Sequence, residues 1–90
     1  MEELVEKVRE KFNLEVNDMA DAWKLVEWLE SRGWVVYIIT AKDRKQVDAW
    51  HPHYGTLFAQ FGDIPNFESI LEGILTVALL AKELEEKGTI

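Results

Sequence analysis

Two histidines one residue apart, His51 and His53 around Pro52, are the first residues whose type and spacing suggest chemistry. In an extended chain alternate side chains project to one side, so the two imidazoles would share a face. They would bind a divalent metal if Asp48 or Asp63 supplied a further ligand. No third ligand is convincingly spaced and Pro52 distorts a strand, so the sequence predicts neither a metal site nor a cofactor. A histidine acting as general base needs a nucleophile beside it, and Ser31 and Ser69 fall at helix ends; no catalytic residues are expected and the chain reads as a non-enzyme.

A second constellation is basic and aromatic. Lys42, Arg44 and Lys45, interrupted by Asp43, form the one basic cluster, and Trp50, His51, His53 and Tyr54 follow shortly after. Cations beside stackable rings are what a phosphate and a base require, so these seven residues are a candidate ligand-binding set for a nucleotide. The plainer reading is a solvated hairpin.

The third constellation is apolar. In Trp34-Val35-Val36-Tyr37-Ile38-Ile39-Thr40, Val35, Tyr37 and Ile39 project to one face and Trp34, Val36, Ile38 and Thr40 to the other. Both faces want cover, from helices on both sides or from a second subunit. A three-stranded sheet also leaves two open edges, either of which can pair with another chain. Tryptophan is enriched at interfaces, and Trp23 and Trp28, five residues apart, stand about 140° apart on a helix, so both are buried only if that helix is contacted on two sides. Val35, Tyr37, Ile39 and Trp28 are therefore the expected interface, and a homodimer the expected state.

The elements that must position these residues follow from periodicity. Leu4, Val5, Val8 and Phe12 recur at helical spacing from Glu2 to Phe12. Asn17 or Asp18 caps a second helix that runs to about Arg32, with Met19, Ala22, Trp23, Val26 and Leu29 as its stripe and Leu25 and Trp28 widening it; Gly33 ends it. Trp34–Thr40 is a strand by its β-branched and aromatic content, Ala41–Lys45 a polar connection, Gln46–Pro52 a second strand and Thr56–Phe61 a third, antiparallel because the links are short. Asn66 is the expected cap of a last helix whose face is Phe67, Ile70, Leu71, Ile74, Val77, Ala78, Ala81 and Leu84, with Leu75, Leu79 and Leu80 on its flank and Gly88 as its stop. The fold class is α+β: a three-stranded antiparallel sheet packed by helices, in the order α-α-β-β-β-α.

Ninety residues, 48% apolar and 30% charged, make one globular domain. The absence of cysteine excludes disulfide frameworks, thiol catalysis and cysteine zinc sites. A net charge of −7 opposes general nucleic-acid binding and adhesion to anionic membranes. The charge is segregated: residues 1–33 carry −4, residues 34–63 none and residues 64–90 carry −3. Met1 to Lys7 lacks the basic start of a signal peptide, and the apolar stretch Ile70–Ala81 falls short of the roughly twenty residues of a membrane span, so a cytoplasmic location is expected. Glutamate supplies twelve of the seventeen acids, a lean towards a heat-tolerant source.

The run Asp18-Met19-Ala20-Asp21-Ala22-Trp23-Lys24-Leu25-Val26-Glu27-Trp28-Leu29-Glu30, closed by Gly33-Trp34, resembles small phage and prophage proteins of the phage ABA sandwich type. Glu3-Leu4-Val5-Glu6-Lys7-Val8 is similar to that family's first helix, and Asp63-Ile64-Pro65 through Ala78-Leu79-Leu80-Ala81 to its closing one. The resemblance implies the fold and a phage or prophage origin, and brings no catalytic residues. On that basis the chain is expected to be a non-enzymatic accessory protein of the host cytoplasm. It would act by protein binding or self-association, with an acidic helical surface facing a basic host or phage protein. A nucleotide-binding or sequestering protein using Lys42–Tyr54 is the alternative.

Overall fold

Two of the three helices among the described residues begin at the same reciprocal device. Asp18 caps α2 (Met19–Ser31) by accepting from the Asp21 N–H, while the Asp21 carboxylate accepts from the Asn17 N–H at 2.9 Å. That Asn17 amide, ahead of the Lys24 ammonium, holds the Asp21 carboxyl below the usual carboxylate range. Ser69 caps α3 (Ile70–Glu86) in the same way, accepting from the Glu72 N–H while Glu72 accepts from the Glu68 N–H. α1 (Glu2–Phe12) ends at Asn13, which takes the left-handed conformation at φ 54°. α2 ends at Gly33 (φ 92°), where the Gly33 N–H reaches the Glu30 carbonyl and the Trp34 N–H the Leu29 carbonyl, a paired closure that needs a left-handed residue.

The computed structural model describes residues 1–59 and 62–87. After α1 and α2 come β1 (Val35–Ala41), β2 (Arg44–His51) and β3 (Gly55–Thr56), and α3 follows. The strands form one antiparallel sheet in the order β1-β2-β3, so the molecule is an α+β fold ordered α-α-β-β-β-α. β1 and β2 pair from Val35↔Trp50 to Ala41↔Arg44, and only Lys42 and Asp43 lie in the turn. β2 thus starts two residues before the expected Gln46 and ends at His51, one before Pro52.

Several expectations are corrected. The third strand is two residues long: after Thr56 the Leu57 N–H adds one more bond to the Ala49 carbonyl, and residues 58 and 59 then turn onto the Asp48 side chain. Gln60 and Phe61, and the expected stop at Gly88, lie outside the described residues. Asn66 does not cap α3. Its carboxamide accepts from the Lys45 N–H and donates to the Asp43 carbonyl, while the Phe67 N–H meets the Lys45 carbonyl, so residues 66–67 clamp the hairpin. On α2 the buried stripe is Ala22, Leu25, Val26 and Leu29, with Met19 and Trp23 exposed.

The helices cover one face of the sheet. Val47 and Ala49 are fully buried beneath α3, which also packs against α1 and α2. α3 comes this close because Gly73 lacks a side chain: a Cβ there would sit 2.5 Å from Val47 Cγ2 and 2.9 Å from Phe67 Cδ2. Around this contact Leu25, Leu29, Ile74, Leu75, Val77 and Val8 complete the core. Gly73→Ala is expected to destabilise, since overpacking of about 1–3 kcal/mol exceeds the helix-propensity gain of about 1 kcal/mol. A fall of several degrees in Tm checks it; an unchanged or raised Tm contradicts the close approach.

Candidate functional site

The aromatic end of the sheet forms around Trp34, which is buried just ahead of β1. Its indole lies parallel to the Tyr54 ring at 5.5 Å, and the His51 ring tilts against both at 5.0 Å. The indole N–H donates to Glu85 of α3, and the same carboxylate accepts from the Arg32 guanidinium at 2.9 Å. His51 is spoken for at both nitrogens. The His53 N–H can only donate, so Nδ1 accepts it at 3.1 Å; the Arg32 carbonyl can only accept, so Nε2 carries the hydrogen and donates at 3.1 Å. His51 therefore locks the end of α2 to the turn after β2, and a metal would have to break one of these bonds.

The carboxylates considered as partners of the histidine pair serve elsewhere. Asp48 is buried, and its oxygens accept from the Ala49, Phe58 and Ala59 N–H groups at 2.8–3.1 Å, which holds the turn after β3. Asp63 borders a depression with Ile39 and Arg44, at the hairpin end. No group of three His, Asp or Glu side chains among the described residues is placed to hold a metal ion.

The proposed ligand set does not converge. Lys42, Arg44 and Lys45 lie at the hairpin end of β2, and Trp50, His51, His53 and Tyr54 at the other, about 20 Å away along the strand. Strand alternation separates the aromatics too: Trp50 lies across from Val35 on the outer face, whereas His51 falls on the helix side with Trp34. A cleft of about 410 Å³ does open beside Ser31, Arg32, His53 and Tyr54, but its charges, Arg32 and Glu85, are paired with each other. A groove of about 600 Å³ between α1 and α3 has Leu4, Leu79 and Leu80 in its lining and a rim of mixed lysines and glutamates, with Lys11 bonded to Glu86 across it. Neither offers the cationic floor a phosphate needs.

The apolar constellation does converge. Val35, Tyr37 and Ile39 stand 45%, 48% and 38% exposed on the outer face, and Trp50 extends their row from β2. Six of the seven residues of β1 are exposed, Ile38 on the helix side among them. Gly33 to Ala41 contains no charge, in a chain of −7. Trp28 does not belong to this surface: it packs edge-on against Phe12 at 4.8 Å with the Lys82 ammonium over its ring. Trp50, absent from the expected interface, lies in this row, and Ile38, also absent from it, is exposed on the helix side of the same strand pair. The uncharged run would have pointed to Ile38, whereas Trp50 lies outside it and is placed by its pairing with Val35, and the tie of Glu85 to Arg32 and Trp34 spans more than fifty residues and has no local signature.

The acid lies on the helices. Arg9, Lys11, Lys24, Arg32 and Lys87 are each paired with a carboxylate, so the exposed excess is negative. No helix among the described residues is long and apolar enough to cross a membrane.

Asp48→Asn would set an amide N–H₂ against backbone N–H donors. A loss of about 1–3 kcal/mol is expected for the unsatisfied group, read as a lower urea midpoint; an unchanged midpoint would show that the turn does not depend on the carboxylate. Because the cations and rings lie apart, nucleotides at millimolar concentration are expected to leave Tm unchanged, and a saturable rise would restore the ligand-binding reading. No protein-family model, curated protein or solved structure matches this chain.

Proposed function

We propose that the protein is a non-enzymatic binding module that self-associates through its uncharged strand β1 and turns its acidic helices outward towards a basic protein partner. The observation that carries this reading is β1: an uncharged strand with apolar side chains exposed on both faces, in a molecule whose helices are negative. Exposed apolar surface of this extent on a small monomer marks interaction sites. Two copies at −7 each repel through their helices, so the neutral sheet is the surface on which they can approach. The resemblance to phage ABA sandwich proteins supports a phage or prophage accessory role, in which a negative helical surface would occupy a basic groove of a host or phage protein.

Sedimentation equilibrium at micromolar concentration tests the reading, with a reversible shift from 10.5 kDa towards twice that mass expected as concentration rises. Added salt is expected to strengthen the dimer, because screening weakens the repulsion between helices while apolar contact persists. A mass of one chain at every concentration and salt level would overturn it.

A further inference from the structure

From the backbone of β1 we infer how two copies meet: their β1 edges pair antiparallel about a two-fold axis at Ile38, making one six-stranded sheet. This rests on the self-association proposed above and adds its geometry.

The polarity of the free edge follows from the bonds of β2. On the side away from β1, Lys45 gives its N–H to Asn66 and its carbonyl accepts from Phe67, while the Ala49 carbonyl accepts from Leu57. In an antiparallel ladder residues alternate between bonding one neighbour and the other. The partners of Lys45, Val47 and Ala49 are Thr40, Ile38 and Val36, so these three turn their N–H and C=O groups away from β2, towards the open edge. No strand among the described residues takes them up.

A second β1 can bond these groups only if its own even-numbered residues face them. That condition excludes every register offset by one, and it keeps each side chain on its proper face. Of the registers left, the one centred on Ile38 overlaps all seven residues of the strand. It sets Ile38 against Ile38 of the second copy, Val36 against Thr40, Tyr37 against Ile39 and Val35 against Ala41. Tyr37 thereby meets a β-branched residue on the outer face, a favourable cross-strand pair.

Charge and exposure select this arrangement over a face-to-face sandwich. A sandwich would bury Val35, Tyr37, Ile39 and Trp50 but leave Ile38 in water. Edge pairing brings the two Ile38 side chains together on the helix side while continuing the apolar row on the outer face. Natural edges are guarded by lysine, proline or bulges, and β1 carries none of these between Val35 and Ala41. The contact is at the small end of specific interfaces, below about 1,200 Å², so a dissociation constant in the micromolar range is expected.

The cysteine-free chain makes the register directly readable. Directly opposed residues that share hydrogen bonds have Cα atoms about 5.5 Å apart, within disulfide reach. Ile38→Cys is expected to oxidise to a disulfide dimer several-fold faster than Val36→Cys, Tyr37→Cys or Thr40→Cys alone. An equimolar mixture of Val36→Cys and Thr40→Cys is expected to yield the mixed disulfide in preference to either homodimer, a readout that does not depend on Ile38→Cys folding. Preferred crosslinking at Tyr37→Cys, or at Val36→Cys or Thr40→Cys alone, overturns the Ile38-centred pairing. If the unmodified chain sediments as a dimer while these patterns fail, the edge geometry falls and self-association stands. If it sediments as a monomer and no variant crosslinks, both fall.

Discussion

α3 can settle on the sheet only where its backbone meets β2 without a side chain between them. At Gly73 the helix approaches Val47 within a distance that even one methyl group would violate. The helix layer is therefore centred on β2, the middle strand, with α1 and α2 packed against α3. β1 lies to one side of this seat. Its helix-side residue Ile38 is left more than a third exposed although Val47, its neighbour on β2, is completely buried. The exposure of β1 thus follows from where α3 sits, and the proposed interface is a consequence of the core.

Polar bonds fix the other edge of the sheet, whereas on β1 the Lys45 ammonium donates to the Ala41 carbonyl at the hairpin end. Beyond β2, Asp48 draws in residues 58 and 59, Asn66 and Phe67 clamp the hairpin, and the Gln46 amide donates to the Ile64 carbonyl. The bonds of Asn66 and Phe67 satisfy the backbone of Lys45 on β2, beyond the reach of β3, which is two residues long. The aromatic group at the far end has a comparable structural role: Trp34, His51 and Tyr54 tie the end of α2 to the turn after β2, and Glu85 anchors them to α3. Residues that look chemical in the sequence are largely occupied in holding the chain.

What was legible in the sequence was what local physics decides. Element order, helical spacing, the left-handed stop at Gly33 and the alternation of β1 all depend on near neighbours. The start of α3 was legible too, since Ser69-Ile70-Leu71-Glu72 has the spacing of a reciprocal cap, but Asn66 is an equally good cap by type and only its bonds to the hairpin show where it is used. The third strand misled because Thr56 to Phe61 alternates like a strand, whereas Asp48 offers its amides a competing partner. The ligand set misled for a different reason: closeness in sequence across a strand becomes distance in space, and Lys42 and Tyr54 end at opposite ends of the sheet. The apolar row is readable as a row, whereas residue type and helical angle do not reveal that Trp28 packs against Phe12 instead.

Amide hydrogen exchange along β1, followed as a function of protein concentration, tests the central claim most directly. Val35, Tyr37 and Ile39 bond to β2, so their amides are expected to be protected at every concentration, while those of Val36, Ile38 and Thr40 face the open edge. On the proposed pairing, the second set gains protection as concentration rises through the micromolar range, in step with the mass of the dimer. Rapid exchange of Val36, Ile38 and Thr40 in a solution that sediments as dimer would contradict it.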